Sequence, residues 1–361
     1  MKKYWENKNI LILGGAGFIG SHLCDYLVRE GHNVICVDNF VSSDVENIRN
    51  LLAYPNFEFI RHDVTEDIDY KEAHDLEKFK VSVQGFQEIY NLACPTSPKD
   101  FSKLPVKTAW ANSIGVIKSL ELAKDNEAKF LLTSTSSVYG NPPKDSSQVK
   151  EDYYGLLDFL NPRSCYNEGK RFAESTIMTY HNFYKLNTHI ARIFNTYGTN
   201  MLQHIGRQIP DFIKAASEGV DIEIAGDENT VSSFCNVKDI ITGLIKLMDS
   251  DVIEPVNLGD SNPRTLKEVA EKIIKIVDSE SKITYAKGYD FTMKPALPNI
   301  DKAKEELDWI PLIGLDAGLA ETIDYYKNTV IIRKKRTNLT GGETAADGET
   351  AAAGETADLK E

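Results

Sequence analysis

The stretch of the chain whose residue types and spacing most narrowly specify a chemistry is Gly14-x-x-Gly17-x-x-Gly20, within "ILILGGAGFIGSHLCDYLVREGHNVICVD". An apolar run leads into the glycines, the last of them opens a helical pattern, and Asp38 ends the next apolar run eighteen residues later. Glycines permit a tight turn and close backbone approach, a helix N-terminus attracts a pyrophosphate, and a carboxylate at that distance accepts hydrogen bonds from a ribose. Together they predict a dinucleotide site. Asp38 would repel a 2′-phosphate and "DNFVSS" offers no arginine to neutralise one, so NAD is expected over NADP. A second stretch, "TSTSSVYG" (133–140), places five consecutive hydroxyl side chains where the apolar run "AKFLL" ends. Such hydroxyls either cap a turn or hold a substrate hydroxyl, and the residues alone leave both open.

These groups need a scaffold, and the first 200 residues supply its pattern. "NILIL", "NVICV", "FEFI", "EIYNLA", "KFLLT" and "THIARIF" read as strands separated by longer segments of helical periodicity. That alternation predicts an α/β, Rossmann-type doubly wound parallel sheet with its site at the carboxyl ends of the strands. After Asn195 the pattern loosens into "RQIPDFIKAASEG", "VKDIITGLIKLM" and "TLKEVAEKIIKIV" as helices, "IEIAG" and "EPVNLG" as short strands, and "DKAKEELDWIP" as a helix stopped by Pro311. The expected organisation is an NAD-binding domain over 1–195 to which 233–258 returns, and a smaller, discontinuous C-terminal substrate-binding domain over 196–330. A disordered acidic tail of GETAA repeats, over 336–361, completes it.

Composition narrows the function. A length of 361 residues with 42% hydrophobic and 26% charged residues is ordinary globular make-up, and no apolar run is long enough to span a bilayer. The N-terminus reaches its glycines too early for a secretion signal, so a cytoplasmic location is expected. Five scattered cysteines without a C-x-x-C pair fit reduced thiols, with neither a zinc site nor a disulfide framework. A net charge of −13 argues against a nucleic-acid partner. From Gly341 onward six acidic residues accompany one lysine, and the repeats "GETAAD", "GETAAA" and "GETADL" carry no large apolar residue before Leu359, so this segment cannot bury a core.

The glycine spacing, with "YNLACPTSP", "PRSCYNEGKRFAE", "ARIFNTYG", "SFCNVKDI" and "VNLGD", resembles the extended short-chain dehydrogenase/reductase superfamily, in its nucleotide-sugar branch. The resemblance spans most of residues 8 to 330. It looks strongest to UDP-glucuronate decarboxylases and weaker to UDP-galactose 4-epimerases and dTDP-glucose 4,6-dehydratases. It implies a nucleotide-diphosphate sugar as substrate, a homodimer formed through helices near 101–124 and 163–185, and catalysis by Tyr166 and Lys170. Their i,i+4 spacing puts both on one helix face. A tyrosine with an ordinary pKa of about 10 needs a nearby cation to act as a base, a part that Lys170 and the oxidised cofactor could play. Thr135 takes the place of the hydroxyl that binds the reacting sugar alcohol, with Ser136 and Ser137 beside it. The same resemblance brings Phe18, Ile19, Asn39, Asp63, Val64, Leu92 and Ala93 to the cofactor and Pro95, Asn195, Arg207 and Lys294 to the substrate.

The chain departs from this pattern at three places. Dehydratases carry Thr-Asp-Glu and decarboxylases Thr-Ser-Glu where this chain has Thr135-Ser136-Ser137, which resembles the epimerases. The decarboxylases' "RRRPD" segment becomes "KPALPNI", with Lys294 the nearby cation. Ser232 and Asn200 stand where relatives place diphosphate-binding arginines, leaving Arg207, Lys294 or Arg264 for that task. On these grounds the expected reaction is 4-epimerisation or net oxidation at carbon 4, with decarboxylation of UDP-glucuronate as the alternative. A non-catalytic nucleotide-binding relative is a third reading, against which the retention of Thr135, Tyr166 and Lys170 together argues.

Overall fold

Asn9–Leu13 (β1) is buried at every position, as a strand covered on both faces must be. Ile10 and Ile12 enter one apolar cluster and Leu11 and Leu13 the opposite one, so the alternation of the strand feeds two layers. In the computed structural model, which describes residues 7–70, 74–142, 148–203, 205–286 and 296–340, β1 is an interior strand of a seven-stranded parallel sheet. Its neighbours are Asn33–Asp38 (β2) and Glu88–Asn91 (β4), with Phe57–Arg61 (β3) beyond β2. Lys129–Thr135 (β5), Thr188–Ile193 (β6) and finally Val256–Leu258 extend the sheet beyond β4. The order 3-2-1-4-5-6 reverses direction between β1 and β4, which opens a crevice at their carboxyl ends.

One layer packs Phe18–Arg29 and Val237–Asp249 against the sheet, and the other packs Ile114–Asp125 and Ser164–Tyr184. The return of the chain to the sheet is direct: Cys235–Asn236 pairs in parallel with Thr196–Tyr197, and Val256–Leu258 with β6. A third cluster, including Tyr197, Phe212, Ile222, Leu266, Ile273 and Leu319, lies apart from these two. Its Leu266–Val277 helix opens on a reciprocal capping box between Thr265 and Glu268.

Three expected elements end elsewhere. The segment 101–124 is no single helix but Pro98–Lys103, Pro105–Asn112 and Ile114–Asp125. Leu104, at ψ 46°, is pushed out of the helical region by the following proline, and Ser113, at ψ −78°, breaks the second join. The Asp301–Leu307 helix stops at Asp308, whose φ of 48° ends it before Pro311 is reached. Leu315–Thr340 is helical, so residues 336–340 of the expected tail belong to that helix, while 341–361 lie outside the described residues. Among the described residues no helix is long and apolar enough to cross a membrane.

Candidate active site

The cofactor side of the crevice is made mainly by backbone. Gly14 has a φ of +79°, and a Cβ there would lie 2.8 Å from the Ala93 backbone; a Cβ on Gly20 would lie 2.2 Å from the Gly14 carbonyl oxygen. These two glycines let the turn after β1 nest against the end of β4. Gly17 differs, because a Cβ there would meet only the Gly14 carbonyl, at 3.2 Å, and the residue borders the cavity. That leaves an open backbone cradle at the N-terminus of Phe18–Arg29, which suits a pyrophosphate.

Asp38 ends β2 and is held on three sides. Its carboxylate accepts from the Ala16 amide (3.1 Å), the Phe40 amide (2.9 Å) and the Ser43 hydroxyl (2.7 Å). It shares a cavity with Asn39, Asp63, Val64, Leu92 and Ala93, while Phe18 and Ile19 line the adjoining cavity on the other side of the glycines. Burial pushes the Asp63 carboxyl up, but the Thr65 amide and hydroxyl, the Asn39 amide and the Lys107 charge together hold it below the usual range. With glycine cradle and two fixed carboxylates in one groove, the residues fit a dinucleotide.

The reacting side begins where β5 ends. Thr135 does both jobs open to it: its hydroxyl caps the following turn by accepting from the Ser137 amide (3.2 Å), and it hydrogen-bonds the Tyr166 hydroxyl. Lys170 is buried, one turn beyond Tyr166, and its ammonium donates to the Thr133 carbonyl (2.9 Å). Burial pushes the Tyr166 hydroxyl up to about 12, and Cys94 adds to this; Thr135, Arg207 and Arg163 pull it back. The Lys170 ammonium, expected to support the phenolate, is here engaged by the β5 backbone. Behind it Glu174 accepts from Ser134 (2.5 Å) and pairs with Arg192 (2.7 Å), tying β5 to the Tyr166 helix and to β6.

Thr135, Ser136, Ser137, Tyr166 and Lys170 line one cleft of about 250 Å³ that opens to solvent and also touches Gly14, Gly17 and Gly20. Asn195 and Arg207 reach it too, Asn195 donating to Ser232 (2.7 Å) and Arg207 to the Thr96 carbonyl (2.9 Å). Pro95, expected beside the sugar, lines the cofactor cavity instead, because the chain after β4 follows the floor of that groove. Arg264 pairs with Ser232 in a short antiparallel ladder and faces a separate surface pocket. Ser232 is fully buried, and Asn200 donates to Ser21 (3.1 Å). Lys294 lies outside the described residues. Arg163 was not anticipated. It precedes Tyr166 by three residues in "PRSCY", a spacing that places it one helical turn ahead, and it lines the cleft with Arg207.

Comparison with known proteins agrees with this geometry. A family model described as GDP-mannose 4,6 dehydratase matches residues 11–322. UDP-glucuronic acid decarboxylase 1 of Arabidopsis thaliana is 39% identical over 322 residues, covering 89% of this chain and 70% of that protein. The UDP-glucuronic acid 4-epimerase of Bacillus cereus, solved with UDP-glucuronic acid and NAD, superposes with a TM-score of 0.76 at 28% identity, over 89% of this chain and 99% of that one. The UDP-glucose 4-epimerase of Thermotoga maritima, solved with UDP-glucose, gives 0.78 at 26% identity, with coverage of 89% and 99%. The sheet order, the glycine turn and the Thr135–Tyr166–Lys170 cluster have their counterpart in this assignment: the chain belongs to the GDP-mannose 4,6-dehydratase family of NAD-dependent nucleotide-sugar enzymes.

Proposed function

We propose that the chain acts on a UDP-hexuronate, oxidising carbon 4 and releasing the carboxylate as carbon dioxide, as a UDP-glucuronate decarboxylase does. The observation that carries this reading is the 39% identity to a UDP-glucuronic acid decarboxylase across 89% of the chain. NAD, when bound, would accept the hydride from carbon 4 and return it to the same carbon once carbon dioxide has left, so that the net change is loss of carbon dioxide. Thr135 and Tyr166 share a hydrogen bond, so a sugar hydroxyl arriving between them is oriented by one and deprotonated by the other. Lys170 is fixed on the Thr133 carbonyl one turn from this pair, and burial lowers its affinity for a proton.

Decarboxylation does not require the carboxylate that Ser137 replaces. A ketone at carbon 4 stands β to the carboxylate on carbon 5, and such acids lose carbon dioxide when the carbonyl oxygen accepts a hydrogen bond. The Tyr166 hydroxyl, protonated after the oxidation, is the donor in reach. Returning a proton to carbon 5 falls to a hydroxyl or water beside Ser136 and Ser137. A second reading, 4-epimerisation with the carboxylate retained, is favoured by Thr135-Ser136-Ser137, which lacks an acid for any further bond-breaking. Mass spectrometry after incubation with NAD and UDP-glucuronate separates them. Loss of carbon dioxide is expected; a product of unchanged mass would replace this reading by the second.

The half-exposed Trp110, Ile114, Ile117 and Phe172 lie on the helices near 101–124 and 163–185, and they support pairing with a second copy. Sedimentation should then give twice the chain mass of 40.4 kDa, and the single mass would refute it.

A further inference from the structure

The sugar side of the crevice has an unusual charge balance. Arg163 and Arg207 line the same cavity with Ser136, Ser137 and Asn195, and the acidic group that borders the adjoining cleft is Asp100. The two guanidiniums are close enough to act on each other: burial, and the charge of Arg207, both disfavour the charged form of Arg163. Two cations sharing a half-enclosed, low-dielectric space repel, and an anion placed between or beside them relieves this. The cavity is built for a ligand carrying negative charge in more than one place.

The placement of the two differs. Arg163 caps the start of Ser164–Tyr184, three residues before Tyr166, so it stands on the same side of the helix one turn away from the phenol. Both arginines act on the Tyr166 hydroxyl, Arg207 the more strongly, and Arg163 is in addition joined to it through the helix itself. Arg207 stands on the loop that opens Gln208–Glu218 and is fastened to the Thr96 carbonyl on the opposite wall. Tyr166 marks the position of the oxygen on carbon 4. The substituent on carbon 5, the adjacent ring atom, therefore falls near the tyrosine, and the diphosphate, beyond carbon 1, falls farther away.

Resting on the hexuronate reading above, we propose that Arg163 is the residue that selects an acidic sugar, by binding the carboxylate on carbon 5, and that Arg207 binds the diphosphate. This division accounts for two departures from the family pattern at once. The diphosphate positions that relatives fill with arginine hold Ser232, buried beneath Asn195, and Asn200, turned to Ser21, while of the two basic groups within one turn of the tyrosine Lys170 is engaged by the Thr133 carbonyl and Arg163 faces the cavity. A guanidinium meets a carboxylate with two parallel hydrogen bonds, a geometry a lysine cannot reproduce.

The test is calorimetric, on the full chain loaded with NAD and carrying Tyr166→Phe so that no sugar turns over. In that background UDP-glucuronate should bind more tightly than UDP-glucose, which has the same nucleotide and no carboxylate. Adding Arg163→Met should weaken UDP-glucuronate roughly 10- to 100-fold, the worth of a charged hydrogen-bonded contact, and leave UDP-glucose and NAD unchanged. Arg163→Lys, which keeps the charge and guards against a folding defect in the first variant, should recover part of the loss. Arg207→Met should weaken both sugars alike. An equal loss for both sugars on Arg163→Met, or no loss for either, overturns the assignment. Should UDP-glucose bind as well as UDP-glucuronate before any arginine is changed, the hexuronate reading fails and the assignment fails with it, so the two failures are told apart by the starting protein.

Discussion

The two sides of the crevice are built on different plans. On the cofactor side the glycine turn presents backbone to the groove, and the two carboxylates are held within the first three strands: Asp38 by the amides of Ala16 and Phe40, Asp63 by Thr65 and Asn39. On the sugar side almost every lining group is a side chain contributed by a distant part of the chain, Ser137 from the end of β5, Arg163 from a helix start, Asn195 from the end of β6 and Arg207 from the loop beyond. A backbone cradle recognises what all dinucleotides share, a pyrophosphate and a ribose, and tolerates little change in the glycines that make it. A wall of side chains can be altered residue by residue without disturbing the sheet. Cofactor use is thus constrained by the fold, whereas substrate choice is left to positions that can vary.

The largest effect expected from this division is at their junction. Tyr166→Phe removes the base and almost no volume, so turnover should fall by about 10²–10⁴ while NAD binds as before, measured by product formation and by calorimetry. The unsubstituted enzyme should also oxidise faster as the pH rises through the neutral range, because burial holds the phenol near 12 and the phenolate is the active form. A Tyr166→Phe enzyme that kept most of its turnover would make the tyrosine structural. The 10- to 100-fold selective loss expected for Arg163→Met comes next, confined to the sugar side.

The smallest effect, and the sharpest contrast, is expected on the cofactor side. Gly20→Ala sets a Cβ 2.2 Å from the Gly14 carbonyl, and overpacking of this kind costs about 1–3 kcal/mol. NAD affinity should drop by about tenfold with the melting temperature lowered in parallel, while the relative affinity for two UDP-sugars stays the same. If that substitution altered sugar preference and left NAD untouched, the two sides could not be regarded as separately built.

Much of this was open to reading from residues in order. Strand β1, the glycine turn, the Phe18–Arg29 helix, β2 and Asp38 are contiguous, and each part carries its own local reason: apolar runs for a sheet covered on both faces, glycines for a turn packed against β4, a carboxylate at a strand end. Tyr166 and Lys170 were picked out by the family resemblance, and their i,i+4 spacing then put both on one helix face without tertiary information. Tertiary structure alone decided what crosses the crevice. It buried Ser232 and turned Asn200 to Ser21, sent Pro95 to the cofactor groove, gave Lys170 to the Thr133 carbonyl, and brought Arg207 to Arg163 across 44 residues of sequence. The reason is physical. Turns and helix faces are set by dihedral angles and spacing within a few residues, whereas a guanidinium's neighbours are set by how separate elements pack, and that packing answers to burial and charge summed over the whole chain.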